Sequence, residues 1–376
     1  MSHQRSCWKS AAALLVFFGL SGCGGGSEAS DKNQLQERDS AAQENDSGSE
    51  SAFPSTGDGT GPVPVENSVS DNTIEVDGQV YTDLASAEAA ILAGSQVVIG
   101  NGVYSRGLKI QPDNVTVIGS GETHFKGAQL MGKATFIVNG HGVRIENIEC
   151  SQVSVPDQNG ACVRQQGRDL VLSQVYFHDS EQGVLSASGT GSLTIEHSVF
   201  ERLGKAGRAH AVYSNNDSLT IRYSRFYSSK DQGHEIKSRA KYTLIEYSEI
   251  ASLSGDDSRL VDAPNGGELV IRDSVLEQGP NSANRQLIGF GLEAAYDATQ
   301  SNRVTLSNNV IILDRPAGSQ LLALPAAGGF ELSVSQNEIV GSAPVDKADY
   351  VSENTFYDTR AAYGLSEFPA LPETGF

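Results

Sequence analysis

Four cysteines, two methionines and one tryptophan are spread over 376 residues, and prolines number only 12. Basic residues are also in deficit: 27 Lys and Arg stand against 46 Asp and Glu, for a net charge of −19. That balance argues against nucleic acid and anionic lipid surfaces as general partners. It leaves room for a polyanionic sugar, because a local basic patch can outweigh a distant acidic tail. The apolar run from Ala11 to Leu20 is too short to hold a bilayer span permanently. A nucleophile elbow, a phosphate-cradling glycine loop, a paired-cysteine metal pattern and a zinc-binding helix are all missing.

What is present begins with an export signal. Arg5 and Lys9 precede the apolar run, and Leu20-Ser21-Gly22-Cys23 closes it. This start resembles a bacterial lipoprotein precursor. The resemblance implies cleavage before Cys23, acylation of its thiol and membrane attachment through that lipid. Gly24 after the cysteine favours the outer membrane. Residues 1–22 are thus expected to be a signal peptide and 23–72 a lipidated linker. The linker is Gly, Ser, Asp, Glu, Gln and Asn with few apolar residues, so it cannot offset the entropy of ordering. A chain of that length reaches about 40 Å. The exported chain keeps Cys150 and Cys162, which suit either one disulfide or two small buried thiols.

The folded part is expected over residues 73–356, with a tail over 357–376. Ile74-Glu75-Val76 reads as a strand. Asp83 to Leu92 reads as an amphipathic helix with Leu84, Ala87 and Ile91 on one face and Gly94 as its stop. A phrase then repeats. Its anchors are Ile145, Leu172, Ile195, Ile221, Ile245, Ile271, Leu306 and Val334. Five residues after each comes Cys150, Phe177, Phe200, Phe226, Ile250, Leu276, Ile311 or Ile339. The steps are 27, 23, 26, 24, 26, 35 and 28 residues. That period is too short for propeller blades and too rich in β-formers for helical repeats. A polar column three residues past the anchor holds Ser198, Ser224, Ser248, Ser274, Asn309 and Asn337, which fits turn residues bonding from coil to coil. The long step leaves about ten extra residues, expected as a loop near Glu293 to Asn302.

These repeats resemble the pectin-lyase-like right-handed parallel β-helix proteins. The implied fold is all-β, a single-stranded parallel β-helix opened by a capping helix. Fold alone does not give function.

Chemistry is expected in the runs between phrases. If Val212, Ile236, Val261 and Ile288 point inward, alternation turns Tyr213, Glu235, Lys237 and Asp262 outward. Arg239 follows on the same side, Asn265 lies in the turn beyond Asp262, and Gly289 and Gly291 leave room before Glu293. His210, His234 and Arg259 fall two residues before the inward position on successive coils, with Arg285 one further out on the next. Arg164 flanks the inward Val163 one coil earlier in the series. Removing the proton α to a uronic-acid carboxylate needs a cation to neutralise that carboxylate and a base within reach. Lys237, Tyr213, His210 or His234 would be the base or acid and Arg239 the neutraliser. Arg164, Glu235, Arg259, Asp262, Asn265, Arg285 and Glu293 would bind an acidic polysaccharide. Gly233-His234-Glu235-Ile236-Lys237-Ser238 is faintly similar to calcium-dependent β-helix lyases, so calcium is the cofactor that resemblance raises. The second metal-binding acid of that family is missing, and no metal site is assigned. The expectation is a lyase or C5-epimerase on an acidic polysaccharide, with a non-catalytic carbohydrate-binding or structural envelope protein as the alternative. Hydrolysis by Asp262 with Glu235 or Glu293 is a weaker third.

Overall fold

The structure, a computed structural model, describes residues 69–341 and 353–375. The signal peptide, Cys23 and nearly all of the linker lie outside the described residues.

Short strands fold into three sheets, of twelve, eleven and nine strands. From Gln96–Ile99 to Glu338–Gly341 each strand joins the next in its sheet by a full circuit through the other two, so the chain winds as a parallel β-solenoid; before it, Ile74–Val76 pairs antiparallel with Gln79–Tyr81 and with Gln96–Ile99. The anchors form the first sheet, where Val117, Ile145, Leu172, Ile195, Ile221, Ile245, Ile271, Leu306 and Val334 pair in unbroken register. The residues five further on form the second sheet, from Cys150 through Phe177, Phe200, Phe226, Ile250, Leu276 and Ile311 to Ile339. The runs between phrases form the third. Inward residues of all three sheets make one continuous apolar core.

Between the first two sheets the chain turns within a few residues. The residue two past each anchor takes a left-handed backbone, from Asn147 and Gln174 through Tyr223 and Tyr247 to Gln336. The polar column then carries the coil-to-coil bonds. Backbone N–H groups of Ser198, Ser224 and Ser248 donate to the hydroxyls of Ser224, Ser248 and Ser274 at 3.2, 3.2 and 3.1 Å. Ser274 and Asn309 donate likewise to Asn309 and Asn337. An unpaired buried N–H would cost about 1–3 kcal/mol, so each side chain answers a need that the turn creates.

Helix α1 spans Leu84–Ala90, with Asp83 accepting from the Ser86 N–H as its N-cap. Leu84 and Ala87, and Ile91 just beyond, join the main core. Cys150 and Cys162 form a disulfide with their Cα atoms 5.9 Å apart. At the other end, Thr355–Tyr357 adds a strand beside Glu338–Gly341. A short helix α2, Arg360–Tyr363, follows. Tyr357, Tyr363, Leu365 and Leu371 then cover Val275, Ile312 and Val340.

Candidate functional site

In the third sheet Val163, Val184, Val212, Ile236, Val261 and Ile288 are register partners and fully buried. The same ladder stacks Tyr213, Lys237, Asp262 and Gly289 on four successive coils. Residues of the turns and of the loop after the strand Gln286–Phe290 close in around that column.

Arg239 is held by three of its nitrogens. Nε donates to the Tyr213 phenol oxygen at 2.9 Å, Nη1 to Asn265 Oδ1 at 2.7 Å and Nη2 to Glu293 Oε2 at 2.6 Å. Lys237 Nζ lies 2.9 Å from Glu293 Oε1 and 3.5 Å from Asp262 Oδ2. Both cations also approach the Tyr213 ring, at 5.9 and 5.6 Å from its centroid. Glu293 therefore bridges Lys237 and Arg239, yet its own side chain is 41% exposed. Desolvation raises its carboxyl, but the two cations outweigh that and hold it below its ordinary value.

Asp262 sits beneath Lys237 with a side chain only 3% exposed. Arg259 reaches it at 3.1 Å and His234 Nε2 at 3.7 Å. Arg259 thus pairs with Asp262. Burial pushes the Asp262 carboxyl up, against the pull of Arg259 and Lys237. Gly289 makes room for it: a Cβ there would stand 2.5 Å from Asp262 Oδ1.

His210 and His234 are stacked, with centroids 4.8 Å apart. His210 Nδ1 accepts the His234 backbone N–H at 3.0 Å, and His234 Nδ1 accepts that of Arg259 at 3.1 Å. An Nδ1 that accepts leaves a neutral ring with its proton on Nε2. Burial drives both rings down, with neighbouring positive groups adding to it: His234 to about 3 and His210 well below its ordinary value. With Nδ1 accepting and the proton on Nε2, each ring is placed to give a proton or a hydrogen bond, which narrows the expected base-or-acid role to the acid side.

Three other expectations change. Glu235 has no exposed surface. It precedes the strand Ile236–Ser238, where alternation does not yet apply, and accepts from the Ser229 N–H and hydroxyl at 2.6 and 2.7 Å. Arg164 stands two coils from Tyr213, because Leu185 takes the position between them. Its missing coil is the run Gln182–Ser186, which follows Val163 by a step too short for the repeat pattern. Arg285 is exposed before its strand, and among the described residues no hydrogen bond or ion pair joins it to the cluster. Sequence reasoning also passed over His124, Glu149 and His178, whose only signal is that each flanks an inward residue of the second sheet.

A concavity of about 310 Å³ lies away from this cluster, lined among others by Ser154, Asp179, Glu181, Lys205 and Asp231. A polymer lies along an open face and needs no enclosed cavity, so the mixed-charge column is the stronger candidate.

No family model matches the chain, and no curated protein matches it. Among solved structures it is similar to the native GH136 lacto-N-biosidase of Eubacterium ramulus. The TM-score is 0.41 and the identity 13%, over 70% of this chain and 65% of that one. That likeness is too slight to bear on chemistry.

Proposed function

We propose that the third sheet binds an acidic polysaccharide and that Tyr213, Lys237 and Arg239 act on a uronic-acid residue by β-elimination or C5 epimerisation. One observation carries this reading: Lys237 and Arg239 together grip a single carboxylate, that of the exposed Glu293. A sugar carboxylate that displaced Glu293 would find the same two cations already in place. The charge that develops when the neighbouring C–H loses its proton would then be stabilised without rearrangement. Arg239 Nε–H donates to the phenol oxygen; a phenolate there, its own proton first lost to solvent, would take the C5 proton and return to the phenol. The buried Asp262, with Arg259 behind it, keeps Lys237 on the face. Cys23 would tether the domain to the outer membrane.

A non-catalytic binding protein is the second reading. It is favoured by the closed pairing of Lys237, Arg239, Asp262 and Glu293 and by the neutral, proton-donating histidines.

The test is to incubate the protein with alginate, pectate, hyaluronan and dermatan, with and without calcium. Ultraviolet absorbance reports unsaturated ends, and exchange at C5 in heavy water reports an epimerase. One substrate should respond. Arg239→Ala and Lys237→Ala should each cost about 10²–10³ in rate, and Tyr213→Phe should abolish proton transfer while binding persists. Activity that survives Lys237→Ala and Arg239→Ala would dismiss the site. Binding with neither signal would leave the second reading.

A further inference from the structure

The outer face of the second sheet carries three side chains that the polysaccharide reading leaves unused. His124 stands on the strand Thr123–Lys126, Glu149 on Glu149–Ser151 and His178 on Tyr176–His178, three successive rungs. Phe125, Cys150 and Phe177 beside them are fully buried, so alternation puts all three on the outward side. Their side chains remain 17, 12 and 14% exposed, open to an ion from solvent.

Their ligand-type atoms converge. His178 Nε2 lies 3.0 Å and His124 Nε2 3.4 Å from the same oxygen, Glu149 Oε1. One such atom from each residue lies within 4.8 Å of the other two. Around a tetrahedral ion with bonds of about 2.0–2.1 Å, ligands stand roughly 3.3 Å apart. Two of the three edges, at 3.0 and 3.4 Å, are near that length, and the third, at most 4.8 Å, would shorten on binding.

Support from behind points the same way. His178 Nδ1 lies 2.7 Å from Asp179 Oδ2. Asp179 is itself clamped by Nε and Nη2 of Arg202, each at 2.8 Å. A carboxylate behind one ring nitrogen fixes the proton there and leaves the other bare, the arrangement that orients metal-binding histidines. The bare Nε2 then faces a carboxylate oxygen at 3.0 Å. Two acceptors that close need a cation between them, either a proton or a metal. Lys126 and Arg202 oppose a positive ion here, while Glu149, Asp179 and Glu201 favour one. Ser151 Oγ, 2.7 Å from His124 Nε2, would give up that contact.

We propose that His124, Glu149 and His178 bind one divalent transition-metal ion of the zinc type, with a fourth position left to water. Asp179 is a positioning residue for His178. This site stands apart from the third-sheet cluster, and its fate does not decide that of the polysaccharide reading.

The purified protein, stripped with a chelator, is titrated with Zn²⁺ by calorimetry and separately with Co²⁺ in the visible spectrum. One equivalent should bind, and the cobalt form should show the intense absorption of a four- or five-coordinate site. That spectrum needs no variant. Glu149→Gln and His124→Ala should each weaken Zn²⁺ binding at least about tenfold, and Asp179→Asn about 10–100-fold without touching the ion. Circular dichroism checks that each variant folds. The weak spectrum of six-coordinate cobalt, or Zn²⁺ binding unchanged in the folded His124→Ala variant, would overturn the proposal and leave a proton shared between His178 and Glu149.

Discussion

Glu235 is buried behind the third sheet, where loss of water and the nearby Asp257 push its carboxyl up to about 8. Asp257 is itself raised to about 6 by burial, against hydrogen bonds from Ser252 and Ser282. A folded carboxyl that holds its proton more tightly than the unfolded one stabilises the fold below its ordinary value of 4.5, and loses that contribution as pH rises through about 8. Glu235→Gln cannot ionise and keeps the reach to Ser229. Thermal unfolding from pH 5 to pH 9 should show the variant gaining on the parent as pH rises, and a constant gap would contradict this. Glu235 also shows where sequence reading stopped. Counting alternate residues outward is sound only once the strand has begun. Leu260 and Ala211, one residue before their strands, are buried for the same reason. Lys237 and Tyr213, inside their strands, were legible.

At the scale of the elements, the sequence showed the anchors, the second column and the polar column, because each is a repeated demand of one backbone turn. The left-handed residue two past the anchor stayed hidden. It is filled by residues as different as Asn147, His197, Tyr223 and Gln336, and no single chemistry marks it. At His197, Tyr223 and Tyr247 stacked rings, 5.1 and 5.2 Å apart, line that corner. The polar column admits a direct test. Asn309 accepts from the Ser274 N–H and donates to the Ile271 carbonyl and to Asn337, all within a buried turn. Asn309→Ala should destabilise the protein by roughly 1–3 kcal/mol in denaturant unfolding, since it strands buried backbone groups. An unchanged midpoint would mean that the column is not what joins those coils.

Across the whole molecule, register does most of the organising. Parallel pairing fixes which residues stand above one another, so a sequence period of 23 to 35 residues along the anchors becomes a face with a defined order of side chains. What the period could not show is how far the loops fold back. Glu293, outside the third-sheet strands, reaches both Lys237 and Arg239, and Asn265 completes the grip on Arg239. On the proposed reading, this pair is a carboxylate site filled by the chain's own Glu293. Calorimetry can compare how an oligouronate binds to the parent protein, to Glu293→Gln and to Arg239→Ala. Binding should be about tenfold tighter in Glu293→Gln, a gain of about 1.4 kcal/mol, and lost in Arg239→Ala. Equal affinity of the parent and Glu293→Gln, or binding that survives Arg239→Ala, would contradict it.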